Sequence, residues 1–206
     1  MAKSAAKYII GIDEVGRGAL AGPVVVAAVC IKQGMRSRSP KVGELKDSKK
    51  LSSLQRERWS NYLKENLDIT FAIARVYPRQ IEKRNISGAA NTAAIRVYEK
   101  IVKDLGKADI KAVFLDGGLF VRSREYQTKM IPGAKTFPKA DEKIRAVAMA
   151  SIIAKVDRDR LMRKLAKRYP EYGFESHKGY GTQLHLDALK KNGLSVLHRA
   201  TFCKKA

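Results

Sequence analysis

Apolar and polar positions fall along this chain in blocks that predict an α/β order. Residues 7–14 and 21–32 are apolar runs of strand type on either side of a Gly-Arg-Gly turn, which predicts a β-hairpin. Val24 to Val29 is apolar throughout, so both faces of that strand should be covered. Residues 33–50 are polar and basic and read as an exposed loop. Ser52 followed by Gln55 makes a capping box that opens a helix to about Asn66. Ile69, Phe71, Ile73 and Val76 mark a third strand from Asp68 to Tyr77, stopped by Pro78. Ala89 to Leu105 places Ile95, Tyr98, Ile101, Val102 and Leu105 at helical spacing, with Gly106 to end the helix.

The second half continues the alternation. Ala112 to Leu115 is a short, wholly apolar strand ending in Asp116-Gly117-Gly118, and residues 131–137 supply a fifth. A long helix is expected from Asp141 towards Tyr169. Its early face is built from Ala146, Ala148, Ala150, Ser151 and Ala154, small enough to lie close against a sheet. Thr182 is placed to cap a last helix that Gly193 ends. Three strands followed by alternating helix and strand predict an α/β fold: a mixed five-stranded sheet with helices on both faces. At 206 residues, without an internal repeat or low-complexity linker, the chain suits one domain with at most a small appendage.

Charge narrows the partners. Lys and Arg number 42 against 20 acids, a formal net charge of +22. The excess is not a tail: residues 1–60 hold 12 basic and 5 acidic side chains, and residues 141–206 hold 15 and 7. The folded body itself is positive, and polyanions are its natural partners through phosphate contacts. A merely basic or ribosome-bound protein would share that balance. Cys30 and Cys203 form neither a CxxC pair nor a disulfide framework, which fits a reducing cytoplasm. The opening residues lack an apolar signal core. The longest apolar run, Pro23 to Ile31, falls short of the ~20 residues of a membrane span.

The candidate chemistry lies at element ends. Asp13 and Glu14 close the first strand, Asp116 ends a buried strand, and Asp141 stands at a helix start. Paired acids at the end of an apolar strand are costly unless a cation compensates them. Oxygen-only ligands favour Mg²⁺ or Mn²⁺ over zinc. Two bare carboxylates ~4 Å apart repel by roughly 4 kcal/mol at an effective dielectric of 20. In so basic a chain the pattern points to a metal-dependent nuclease. Each acid has a plainer alternative: Asp141 as a helix N-cap, Asp116-Gly117-Gly118 as a turn. Successive strand residues face opposite ways, so Asp13 and Glu14 are expected to share a site only if the chain bends there. His177-Lys178-Gly179-Tyr180-Gly181-Thr182 reads either as a phosphate-holding loop whose ring stacks on substrate or as a turn with a half-buried tyrosine. Lys46 to Lys50 and Ser151 to Lys155 offer further phosphate contacts, and the three histidines read as structural or phosphate-facing.

Taken in order, these segments resemble a known family, the type-2 ribonucleases H (ribonuclease HII). The matching residues are Gly11-Ile12-Asp13-Glu14-Val15-Gly16-Arg17-Gly18, Leu20-Ala21-Gly22-Pro23-Val24-Val25, Asp47-Ser48-Lys49-Lys50-Leu51 and Leu115-Asp116-Gly117. They continue with Ala150 to Val156, Arg158-Asp159, His177 to Thr182 and His198-Arg199. The resemblance implies an RNase H-like fold with a helical C-terminal extension: residues 1–170 as the catalytic domain, and 171–206 as a substrate-contacting loop and helix packed on it. It implies cleavage of the RNA strand of RNA–DNA hybrids and incision at ribonucleotides embedded in duplex DNA, leaving 5′-phosphate and 3′-hydroxyl ends. A monomer is expected.

Carried over residue by residue, Asp13, Glu14, Asp116 and Asp141 become metal-binding catalytic acids for two Mn²⁺ or Mg²⁺ ions. Asp157 and Asp159 are rivals for Asp141. Gly16, Arg17 and Gly18 become the reader of the 2′-hydroxyl, and Tyr180 the ring beside the RNA–DNA junction. Lys49, Ser151, Lys155 and Lys178 join them as substrate contacts. Arg17 in the turn resembles type 2 rather than type 3. Ala19 stands where the family often has proline, and Asp157 where it often has threonine.

Overall fold

Strand β1 (Lys7–Val15) and strand β2 (Val24–Lys32) pair antiparallel at the centre of a five-stranded sheet. The computed structural model describes residues 6–35, 38, 39, 41–119, 131 and 133–204. Sheet order is β5-β2-β1-β6-β7, with β5 Thr70–Val76, β6 Asp109–Asp116 and β7 Ala134–Phe137. β5 runs antiparallel to β2, whereas β6 is parallel to β1 and β7 parallel to β6. The mixed sheet expected from the alternation of elements is thus present, and the hairpin joins β1 to β2 as expected.

Both faces are covered for the reason β2 announces. Val24, Val26, Ala28 and Cys30 face one apolar layer, and Val25, Ala27, Val29 and Ile31 the other. The first layer is closed by helix α2 (Pro78–Leu105), the second by α1 (Ser53–Glu65) and α4 (Arg145–Ala166). The capping box forms: Ser52 Oγ accepts from the Gln55 amide, and Gln55 Oε1 from the Ser52 amide. The small-residue face of α4 lies against β1 so tightly that a Cβ at Gly11 would collide with the backbone of Ala146 and Val147.

Several boundaries differ from expectation. The loop at 33–50 contains a short ribbon, β3 (Arg38–Ser39) with β4 (Gly43–Glu44), and a 3-10 turn at Ser48–Lys50. Pro78 ends β5 but also starts α2, because proline at the first helical position loses no hydrogen bond. That helix is interrupted at Asn85 (φ 55°), whose Oδ1 accepts from the Gly88 amide and restarts it. The helix expected from Asp141 is two: α3 (Ala140–Lys143) and α4, divided by the extended Ile144. Helix α6 (Gln183–Asn192) ends at Gly193 as expected, but Thr182 makes no side-chain cap bond. Two four-residue turns, α5 (Phe174–His177) and α7 (Ala200–Cys203), flank it. Among the described residues no helix is long and apolar enough to cross a membrane.

Candidate active site

Asp13, Glu14, Asp116 and Asp141 line one cavity of about 270 Å³. No bend is needed to bring the first two together. β1 stays paired with β2 through Val15, so its residues keep alternating. Asp13 lies on the α4 side with Gly11, and Glu14 on the α2 side with Ile10 and Ile12. Both reach the cavity because the sheet stops there: β6, the parallel neighbour of β1, ends at Asp116, and α3 delivers Asp141. Asp141 is not an N-cap. That position belongs to Lys139, in a left-handed conformation, and Asp141 sits in the first turn of α3. Asp116 does more than close a turn: its Oδ1 accepts from the Ala140 amide (2.9 Å), tying β6 to α3.

Gathering these acids in a buried cavity costs energy. Burial holds the Asp13 carboxyl well above the ordinary carboxylate range, with Glu14 and Asp116 adding repulsion and the Ser151 hydroxyl opposing it. Burial likewise raises Glu14 to about 7, with the Arg17 guanidinium opposing and Asp116 adding repulsion. Asp141 is raised by burial and eased by Lys49, whose Nζ lies 3.6 Å from its Oδ2. The acids are not drawn into a closed ligand set: among the described residues no three such side chains stand together in a coordination shell. Each leans towards a protein partner instead, Asp116 to Ala140, Asp141 to Lys49, and Glu14 to Arg17 at 3.8 Å. Glu14 Oε2 is buried without a hydrogen-bond partner among the described residues. A set of carboxylates with an unmatched buried oxygen, three of them with proton affinities raised by burial, fits a hard divalent cation.

Around the acids the expected substrate residues divide. Lys49, Ser151, Lys155 and Tyr180 line the same cavity. Ser151 Oγ shares a 2.8 Å hydrogen bond with Ser48 Oγ, joining α4 to the 3-10 turn. Lys155 donates to Asp159 and sits 6.0 Å from the Tyr180 ring centre. Arg17 reaches back from the turn to the Gly118 carbonyl (2.8 Å) and Ser87 Oγ (3.0 Å). At Gly16 (φ 89°) a Cβ would collide with Arg158, whereas at Gly18 it would meet open space. Lys178 is not among the cavity's lining residues: its Nζ donates to the Glu175 carbonyl of its own loop.

The rival acids are engaged elsewhere. Asp157 takes a two-pronged bond from Arg75 (2.8 and 2.6 Å), and Asp159 takes Lys155. The three histidines are buried and structural. His185 and His198 meet Nε2 to Nε2 at 3.1 Å, and burial holds His185 down to about 4.

Sequence reasoning missed the importance of Arg158 and Arg199 as individual residues, because basic side chains in a basic protein read as phosphate contacts. Both are fully buried. The available signal was periodicity: Arg158 falls on the Ala150, Ala154, Met162 stripe of α4, which faces inward. Nothing local marks Arg199.

The chain is similar to known proteins over almost its whole length. The family model for Ribonuclease HII matches residues 10–205. A ribonuclease HII of Fusobacterium nucleatum subsp. nucleatum is 42% identical over 200 residues, covering 97% of this chain and 87% of that one. One from Pelagibacter ubique is 37% identical over 196 residues, covering 95% and 96%. The crystal structure of the ribonuclease H2 from Pyrococcus horikoshii matches with a TM-score of 0.69 at 29% identity, over 96% of each chain.

Proposed function

The chain belongs to the ribonuclease HII family, and from that premise we propose that it hydrolyses the RNA strand of RNA–DNA hybrids and incises duplex DNA at single embedded ribonucleotides. It is a nuclease of ribonuclease H type; the two-cation mechanism and the choice of substrate are our reading. In that reading Asp13, Glu14, Asp116 and Asp141 hold two Mn²⁺ or Mg²⁺ ions. Bound cations would supply a water made acidic enough to attack the phosphate and a counter-charge for the leaving 3′-oxygen. The chain's own residues do the rest. Asp13 and Glu14 each favour a proton when uncompensated, so a cation would bind there in exchange for protons. Ser151 orients Asp13, and Lys49 and Lys155 offer charge to the scissile strand. Residues 1–170 act as the catalytic unit, and 171–206 contribute the substrate-facing Tyr180.

RNA differs from DNA by its 2′-hydroxyl, and Gly16-Arg17-Gly18 is the backbone beside the acids that can approach it closely. What supports the reading above all is that carboxylates from β1, β6 and α3 line one cavity with Tyr180. The decisive experiment incubates the protein with a labelled hybrid, a duplex carrying one ribonucleotide, and an all-DNA duplex, each with Mn²⁺, Mg²⁺ or chelator. Cleavage of the first two only, and only with a cation, is expected. Equal cutting of DNA would make it a DNA nuclease of the same fold; metal-independent binding without product would make it a binder.

Tyr180→Ala tests the junction role. Stacking on an aromatic ring is worth ~1–3 kcal/mol per base, so turnover at a single ribonucleotide should fall by about tenfold. Long hybrids should lose less, and equal losses would remove Tyr180 from the junction.

A further inference from the structure

Two arginines lie wholly inside the molecule, and the chemistry above uses neither. Arg158 stands on α4 and Arg199 immediately before α7, both fully buried. A buried guanidinium is costly unless its donors are met. Here they are met by backbone carbonyls. Arg158 donates from Nε to Pro23 O (3.0 Å), from Nη2 to Ala21 O (3.0 Å) and from Nη1 to Lys178 O (2.8 Å). Arg199 donates from Nη1 to Arg17 O (2.8 Å) and from Nε and Nη2 to Gly22 O (3.1 and 2.9 Å).

Four of these five carbonyls belong to residues 17–23, the connection between β1 and β2. The same connection is fastened to the C-terminal segment by its own backbone. Leu20 and Ala21 amides donate to Gly179 O, the Gly22 amide to Leu197 O, and the Arg199 amide to Leu20 O. The Arg158 guanidinium carbon also lies 5.1 Å from the Tyr180 ring centre. Arg158 thus touches both Gly16 of the turn beside the acids and the Tyr180 ring that lines their cavity, while Arg199 holds the same turn at Arg17. Because a peptide unit is planar, fixing the Arg17 carbonyl fixes the direction of the Gly18 N–H. At Gly18 the backbone faces open space, where a ligand can reach it.

We propose that Arg158 and Arg199 are positioning residues that set the Gly16-Arg17-Gly18 backbone against Tyr180, and through that spacing decide how well a lone ribonucleotide is picked out of DNA. This rests on the reading given under Proposed function. Arginine is required because its planar fork meets two or three carbonyls in fixed directions, which a lysine ammonium on a flexible stem does not. An apolar side chain of similar volume would leave those backbone carbonyls buried and unpaired.

The test compares wild type, Arg199→Lys and Arg158→Lys on a long hybrid and on a duplex with one ribonucleotide, per folded enzyme and below each protein's melting temperature. A misplacement near 1 Å costs up to ~10²-fold. Turnover at the single ribonucleotide should therefore fall between about tenfold and a hundredfold with KM little changed. The long hybrid should lose less than about threefold, because successive 2′-hydroxyls give a loosened turn several registers to engage. Equal losses on both substrates, a change confined to KM, or no loss would overturn the proposal. So would failure of both variants to fold, which would make the arginines folding elements. A wild type that cuts neither substrate refutes the underlying functional reading instead, before any substitution is made.

Discussion

Asp13→Asn is expected to cut hydrolysis of an RNA–DNA hybrid by ~10³-fold or more, equivalent to ~4 kcal/mol of transition-state stabilisation. Duplex affinity should stay within about twofold, because phosphate contacts to the basic surface dominate it. The amide is close in shape to the carboxylate and retains an oxygen for the Glu14 amide, which donates to Asp13 Oδ1 at 2.7 Å. What it loses is the negative charge at an enclosed corner of the cavity, 5% exposed and beside Ser151. A second readout separates chemistry from folding. Asp13 ionises against burial and two neighbouring acids, so removing its charge should raise the melting temperature of the metal-free protein at pH 8. Adding Mn²⁺ should then stabilise wild type more than the variant. Turnover retained within tenfold of wild type, or equal stabilisation of both proteins by Mn²⁺, would take Asp13 out of the cation site.

How much of this was legible in the sequence depends on how local each cause is. The two-sided burial of β2, the Ser52–Gln55 cap and the placing of Asp13 and Glu14 at a strand end are local patterns, and the structure contains all three. The opening turns of α2 were not legible. Pro78 reads equally as a stop and as a start, and Asn85 breaks the periodicity that would have extended the helix backwards. The division at Ile144 was hidden because Asp141 to Ala166 has unbroken helical composition; the break brings Asp141 to the end of β6. The opposed faces of Asp13 and Glu14 argued against a shared site only while β1 was considered alone. Once β6 ends beside it, both faces open on one space. Arg158 and Arg199 were the hardest to see, since their partners are carbonyls of residues 17–23, which carry no side-chain signature.

The cost of burying the acids predicts a pH dependence with a definite sign. Glu14 binds its proton up to about 7 in the folded protein, against an ordinary value of 4.5. A carboxyl raised on folding keeps the native state protonated where the unfolded chain is already ionised. Its stabilisation is complete below pH 4.5 and is lost as pH rises through about 7. For Glu14, whose side chain is only 5% exposed, the loss is of order 3 kcal/mol. In a chain of this size that is roughly 5–10 °C in melting temperature. The buried histidines pull the other way. Burial holds His177, His185 and His198 below 6.5, so they add stability as pH climbs towards that value. The difference between wild type and Glu14→Gln isolates the carboxyl. In chelator, the variant should gain on wild type between pH 5 and 8, and saturating Mn²⁺ should shrink that gain, since a cation compensates the ionised form that burial penalises. A melting-temperature difference flat across that window, or one that Mn²⁺ leaves untouched, would mean that Glu14 is neither crowded nor part of a cation site. The unmatched Oε2 would then need another occupant.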